Sequence, residues 1–157
     1  MSGLATSFMS AEAAREFVDA NVLVYAFDPS AQLKHAAATR LMEGLWNSGA
    51  GCLSVQVLQE FFVIVTRKVA KPLSIDEASE RARELAAWRV FTPAAGDVLA
   101  AIALHKESRI NFWDAMVVQA AAELGCDVLW TEDLNDQQVL RGVRIQNPFA
   151  GPSHIRA

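Results

Sequence analysis

The chain has 157 residues and a mass of 17.1 kDa, with 52% hydrophobic and 20% charged residues and a formal charge of −4 from 14 Lys+Arg and 18 Asp+Glu. A domain of this length buries roughly 70% of its unfolded surface, so one core forms without metal or disulfide staples, and the composition excludes a disordered chain or a coiled coil. No apolar run reaches about 18 residues, which argues against a membrane-spanning helix. The acidic balance argues against a basic surface gripping nucleic acid by counterion release, although acids gathered in a site can be neutralised by a bound cation.

The opening MSGLATSFMSAEAARE lacks a basic stretch followed by a continuous apolar one and does not read as a secretion signal. The first dozen residues and Gly151 to Ala157 read as loose ends of a single domain spanning 1–157, with its core at about 16–149. Glu16-Phe17-Val18 predicts a first strand ending at Asp19, followed by a helical stretch over about Asn21 to Ala26. A helix from about Ala31 to Trp46 carries Leu33, Ala37, Leu41 and Leu45 on one stripe, and Gly49-Ala50-Gly51 breaks it. Cys52-Leu53 belongs to a second strand. Ser54 caps a helix reaching Lys68, with Leu58, Phe61, Phe62 and Val65 as its core face. Ser74 and Glu77 fit a capping box at the start of a helix ending near Ala87. Arg89-Val90-Phe91 reads as a strand, about Ala95 to Glu107 as a helix, and Asn111 as the cap of a helix from Phe112 to Leu124 closed by Gly125. Val128 to Thr131 is a buried strand, Glu132 to Gln138 a turn, and Val143-Arg144-Ile145 a last strand before Pro148. Short apolar runs alternating with helices are the signature of βαβ units around a mostly parallel sheet.

In such sheets ligands bind beyond the carboxyl ends of the strands. Asp19 and Asp133 both fall there. Each has a plain structural reading as well, Asp19 as a helix cap and Asp133 or Asp136 as a turn former. Glu60, in SVQVLQEFFVIV, lies at the edge of an apolar stripe, where it either faces a site or sits on the rim with solvent or Arg67. Asp114, in NFWDAMVVQAAAELG, suits the positive end of its helix, yet apolar residues surround it. An oxygen-only set of this kind selects a hard cation, Mg²⁺ or Mn²⁺. Cys52 and Cys126 read as buried free thiols in a reducing cytoplasm, and His35, His105 and His154 lie far from the acids in sequence.

FVDANVLVYAF, SVQVLQEFFVIVTRK, NFWDAMVVQAAAELG and LWTEDLNDQQVLRGVRIQNPF, taken in order, resemble the PIN-domain ribonucleases, and among them the VapC-type toxins of bacterial toxin–antitoxin pairs. The resemblance covers about residues 16–149. It implies a three-layer α/β/α sandwich and an acidic quartet of Asp19, Glu60, Asp114 and Asp133, with Asp136 as a possible substitute for the last. It implies Asn21 and Thr131 as orienting neighbours of those acids. It further implies Mg²⁺- or Mn²⁺-dependent hydrolysis of RNA leaving a 3′-hydroxyl and a 5′-phosphate, a homodimer, a small antitoxin partner and a cytoplasmic setting. Arg67, Lys68 and Lys71 are candidates for holding RNA, or simply cations matched to a helix end. Two alternatives stand beside this reading. One is a catalytically silent binding module. The other is a phosphotransferase with Asp19 as nucleophile, which calls for a second Asp at the position of Asn21. Apolar area at Trp46, Trp88, Phe61 and Phe62 supports the dimer.

Overall fold

A computed structural model of the protein describes residues 14–151, so most of the chain ends read as loose, together with His154, lie outside the described residues. Among the described residues, six strands form one sheet in the order β3-β2-β1-β4-β6-β5. The strands are β1 (Glu16–Val18), β2 (Gly51–Ser54), β3 (Arg89–Phe91), β4 (Val128–Trp130), β5 (Val139–Leu140) and β6 (Val143–Gln146). Every pairing is parallel except β5 with β6. Phe17 of β1 pairs in register with Cys52 on one side and Leu129 on the other, and all three are fully buried. A central strand covered on both faces is apolar without alternation, which is how FV, CL and VL read in the sequence.

The helices are α1 (Ala20–Tyr25), α2 (Leu33–Ser48), α3 (Val55–Arg67), α4 (Ile75–Leu85), α5 (Ala95–Ser108) and α6 (Phe112–Glu123). Helices α1 to α4 pack on one another, α2 and α3 also on β2, while α5 packs on α6 and α6 spans β2, β4 and β6. The result is the expected α/β/α sandwich. Local chemistry sets the helix ends. Ser54 Oγ accepts the Val57 N–H, and Ser74 and Glu77 close the capping box from both sides. Asn111 Oδ1 accepts the Trp113 N–H at 2.7 Å. At the other end of α6, Gly125 takes φ +70, and the N–H groups of Gly125 and Cys126 return to Ala122 and Ala121. Seven consecutive residues of this helix, Ala115 to Ala121, are buried.

Two expectations are corrected. The buried stripe of α2 is Ala38, Met42 and Leu45, and Leu33 is 86% exposed. The 3₁₀ turn Pro29–Ala31, capped by Asp28, delays the helix, so Leu33 begins its first turn beyond the edge of the core. The second correction is strand β5, which the sequence reading did not assign. Arg141 and Gly142, with φ +51 and +80, form the two-residue hairpin that folds it back on β6. On β2, a Cβ at Gly51 would lie 2.6 Å from the Trp88 ring, so only glycine lets the strand begin beneath that indole. Both cysteines are buried and free. No helix among the described residues is long and apolar enough to cross a membrane.

Candidate metal centre

The sheet order changes direction at β1 and β4, whose carboxyl ends open side by side. Asp19 leaves β1 as the cap of α1, its Oδ1 accepting the Ala20 N–H at 2.8 Å and its own N–H donating to Trp130 O. Thr131 leaves β4 and donates its hydroxyl to Asp19 Oδ2 at 2.9 Å. The same hydroxyl accepts the Asp133 N–H at 3.2 Å, and Asn21 Nδ2 donates to Asp133 Oδ2 at 3.2 Å. Asp114 enters from the first turn of α6. Each of Asp19, Asp114 and Asp133 offers one carboxylate oxygen to a group whose members lie within 4.8 Å of one another.

The electrostatics follow from burial and crowding. Asp19 is only 6% exposed, and burial pushes its carboxyl up to about 7, against the pull of the Thr131 and Ala20 donors and with help from the charges of Asp133 and Glu60. Asp114 is pushed up to about 6 by burial and then by Asp133 and Glu60. No ion pair among the described residues involves any of the three acids. A small, all-oxygen pocket with excess negative charge fits a hard divalent cation.

Glu60 lies within electrostatic reach but outside that group of three. Its Oε1 accepts from Gln56 Nε2 at 3.0 Å, and Gln56 also donates to Trp113 O at 3.3 Å, linking α3 to the start of α6. Its hydrogen-bond partner is thus Gln56, not Arg67. Asp136 serves elsewhere, accepting the Asn147 N–H at 2.7 Å and tying the β4–β5 connection to the segment after β6. Arg67, Lys68 and Lys71 are exposed at and beyond the end of α3. Lys68 shares an open groove of about 350 Å³ with Gln59, Glu60, Val63 and Ile64. Sequence reasoning missed Gln56, although its spacing four residues before Glu60 on one helix was a usable signal. It also missed Tyr25, Lys34 and Glu132, which meet beside the site from distant segments and left no local signal.

The sequence model of the PIN domain matches residues 17–140. No curated protein matches the sequence. Among solved structures, a toxin–antitoxin complex from Klebsiella pneumoniae is similar at TM-score 0.64 and 16% identity, covering 85% of this chain and 97% of that one. VapC20 of Mycobacterium tuberculosis, described as a sarcin-ricin loop cleaving toxin, is similar at 0.54 and 20%, covering 73% and 86%. DNA-bound VapBC from Salmonella typhimurium is similar at 0.61 and 16%, covering 87% and 99%.

Proposed function

The chain belongs to the PIN-domain family, and from that premise we propose that it is a Mg²⁺- or Mn²⁺-dependent endoribonuclease acting as the toxin of a toxin–antitoxin pair. The observation that carries the reading is the convergence of Asp19, Asp114 and Asp133 within 4.8 Å at the carboxyl ends of β1 and β4. These three would hold the cation. When bound, it supplies charge neutralisation at the phosphodiester and makes nearby water a better nucleophile.

The chain's own residues do the rest. Thr131 aims Asp19, and Asn21 aims Asp133. Asp19 and Asp114, both raised in the free protein, would have to be ionised to hold the cation. Glu60, held by Gln56, adds a fourth carboxylate that orients water at the rim. Lys68, with Arg67 and Lys71 nearby, attracts the RNA backbone along the groove it shares with Glu60. Asn21 is engaged with Asp133 where a phosphotransferase of the aspartyl-nucleophile type needs a second acid, which disfavours that alternative. The similar solved structures described as toxin–antitoxin complexes support an antitoxin partner here.

The test is RNA cleavage by the purified chain in Mn²⁺ and in EDTA. Wild type is expected to cleave only with metal. Asp19→Asn and Asp114→Asn are expected to lose at least about 100-fold in rate while keeping the wild-type circular dichroism spectrum. Wild-type rates in both variants would refute the site. A folded wild type that cleaves no RNA would favour the silent binding module.

A further inference from the structure

Residues 131–133 point alternately. Thr131 and Asp133 turn into the acid site, and Glu132 turns away into a separate cluster. There its Oε1 accepts from Tyr25 Oη at 2.7 Å and its Oε2 from Lys34 Nζ at 2.7 Å, so both oxygens are committed outside the metal centre. The Lys34 ammonium also stands 5.1 Å from the Tyr25 ring centre and 5.4 Å from that of Phe149. Those two rings meet edge to face at 5.1 Å, and the Tyr25 carbonyl is held by His35 Nδ1 at 2.9 Å. The Glu132 carboxylate therefore fastens the β4–β5 connection to the end of α1, the start of α2 and the segment after β6. It also raises the pKa of Lys34, and it adds to the larger effect of burial in raising that of Tyr25.

Helix α1 carries Asp19 as its cap and Asn21 and Tyr25 in its body, so Asp19 and Asp133 stand on the two parts that this cluster joins. Asp133 itself is exposed, and its own ties are two bonds of 3.2 Å, to Asn21 and Thr131. Only the Asn21 bond reaches the carboxylate, and the place from which that carboxylate projects is set by the backbone that Glu132 anchors one residue away. We propose that Glu132 is a positioning residue which, gripped by Tyr25 and Lys34, sets the distance between Asp133 and Asp19 and so the cation affinity of the site. This inference rests on the metal-dependent reading above.

The experiment is calorimetric titration of the full chain with Mn²⁺, paired with thermal melts in EDTA. Glu132→Gln is expected to weaken Mn²⁺ binding about 10-fold. Tyr25→Phe and Lys34→Met should shift affinity the same way, and Lys34→Arg should restore it. Glu80→Gln, which loses only a surface pair with Arg83, should bind as wild type. A purely structural cluster would lower the EDTA melts and leave Mn²⁺ affinity alone, and that result overturns the proposal. Should Glu132→Gln not fold, Tyr25→Phe, which removes one hydroxyl, decides by the same criterion. A wild type that takes up no Mn²⁺ refutes the metal reading and this inference together, whereas wild-type binding with unaffected variants refutes the inference alone.

Discussion

Thr131 and Asp19, 112 residues apart in the chain, share a buried hydrogen bond of 2.9 Å between the two central strands of the sheet. The hydroxyl works in both directions, donating to Asp19 and accepting the backbone N–H of Asp133. Thr131→Val keeps the shape and removes both bonds. Leaving a buried carboxylate short of a donor costs about 1–3 kcal/mol. It also drives the Asp19 carboxyl further up, because the Thr131 bond is the strongest influence holding it down. The variant is expected to melt lower and to bind Mn²⁺ about 10- to 100-fold more weakly, with Thr131→Ser restoring most of both. A valine variant with wild-type Mn²⁺ affinity would show that the hydroxyl serves packing alone.

The two roles open to Asp114 make opposite predictions for Asp114→Asn in chelator. As a helix-start charge it contributes about 0.3–1 kcal/mol, and its loss destabilises. As one of several crowded acids it is a burden, and its loss stabilises. The structure decides the sign, because Asn111 supplies the side-chain cap of α6 and the surroundings push Asp114 up to about 6. Asp114→Asn should therefore melt higher than wild type in EDTA, by about 1 kcal/mol or more, and gain less from Mn²⁺. Melting below wild type in EDTA with an unchanged metal response would return Asp114 to a capping role.

Much of this was legible in the chain because the signals are local. Strand β1, the caps at Ser54, Ser74 and Asn111 and the closing Gly125 each depend on residues within a few positions of one another. The acids at strand ends were legible because a parallel sheet directs its strand ends to one edge. Two kinds of feature were not. One depends on where an element begins: α2 starts only after the turn at Pro29–Ala31, and its buried stripe is Ala38, Met42 and Leu45, with Leu33 outside. The other depends on contacts between distant segments, such as Tyr25 with Glu132, or Glu60 standing outside the 4.8 Å group while its charge still reaches Asp19 and Asp114. Phe61, expected to supply dimer area, is fully buried against Phe27.

Apolar area for a second copy is available elsewhere. Val98, Leu99 and Ile102 of α5 are 36%, 67% and 47% exposed, and Trp113, beside Asp114, is 59% exposed. Helical spacing puts Val98, Leu99 and Ile102 on one face. We propose that the homodimer implied by the family resemblance covers them, so Leu99→Glu with Ile102→Glu is expected to yield monomers. Light scattering at micromolar concentration checks this, and a wild-type mass near 17.1 kDa across that range rejects the dimer.

The raised carboxyls also fix how stability varies with pH. Asp19 titrates at about 7 and Asp114 at about 6 in the folded protein, against about 3.9 in an unfolded chain. Between those values the folded state holds protons that the unfolded state has released. The stability these groups contribute is therefore complete below about pH 4 and is lost as pH rises through 6 and 7. Glu77 works in the opposite direction, since the Ser74 cap lowers its pKa from 4.5, but it is ionised in both states above about pH 5.5. The window from pH 5.5 to 7.5 thus belongs mainly to the site acids, and over it the metal-free protein should lose about 3 kcal/mol. Saturating Mn²⁺ should flatten or invert that slope, because cation binding needs the ionised carboxylates and strengthens with pH. Asp19→Asn should flatten it in EDTA as well, by removing the group with the larger shift. Melts of both proteins at the two pH values, with and without Mn²⁺, check this. An EDTA melting temperature for wild type that holds or rises from pH 5.5 to 7.5 would mean that the acids are not buried and crowded as described, and would remove the electrostatic basis for a cation there.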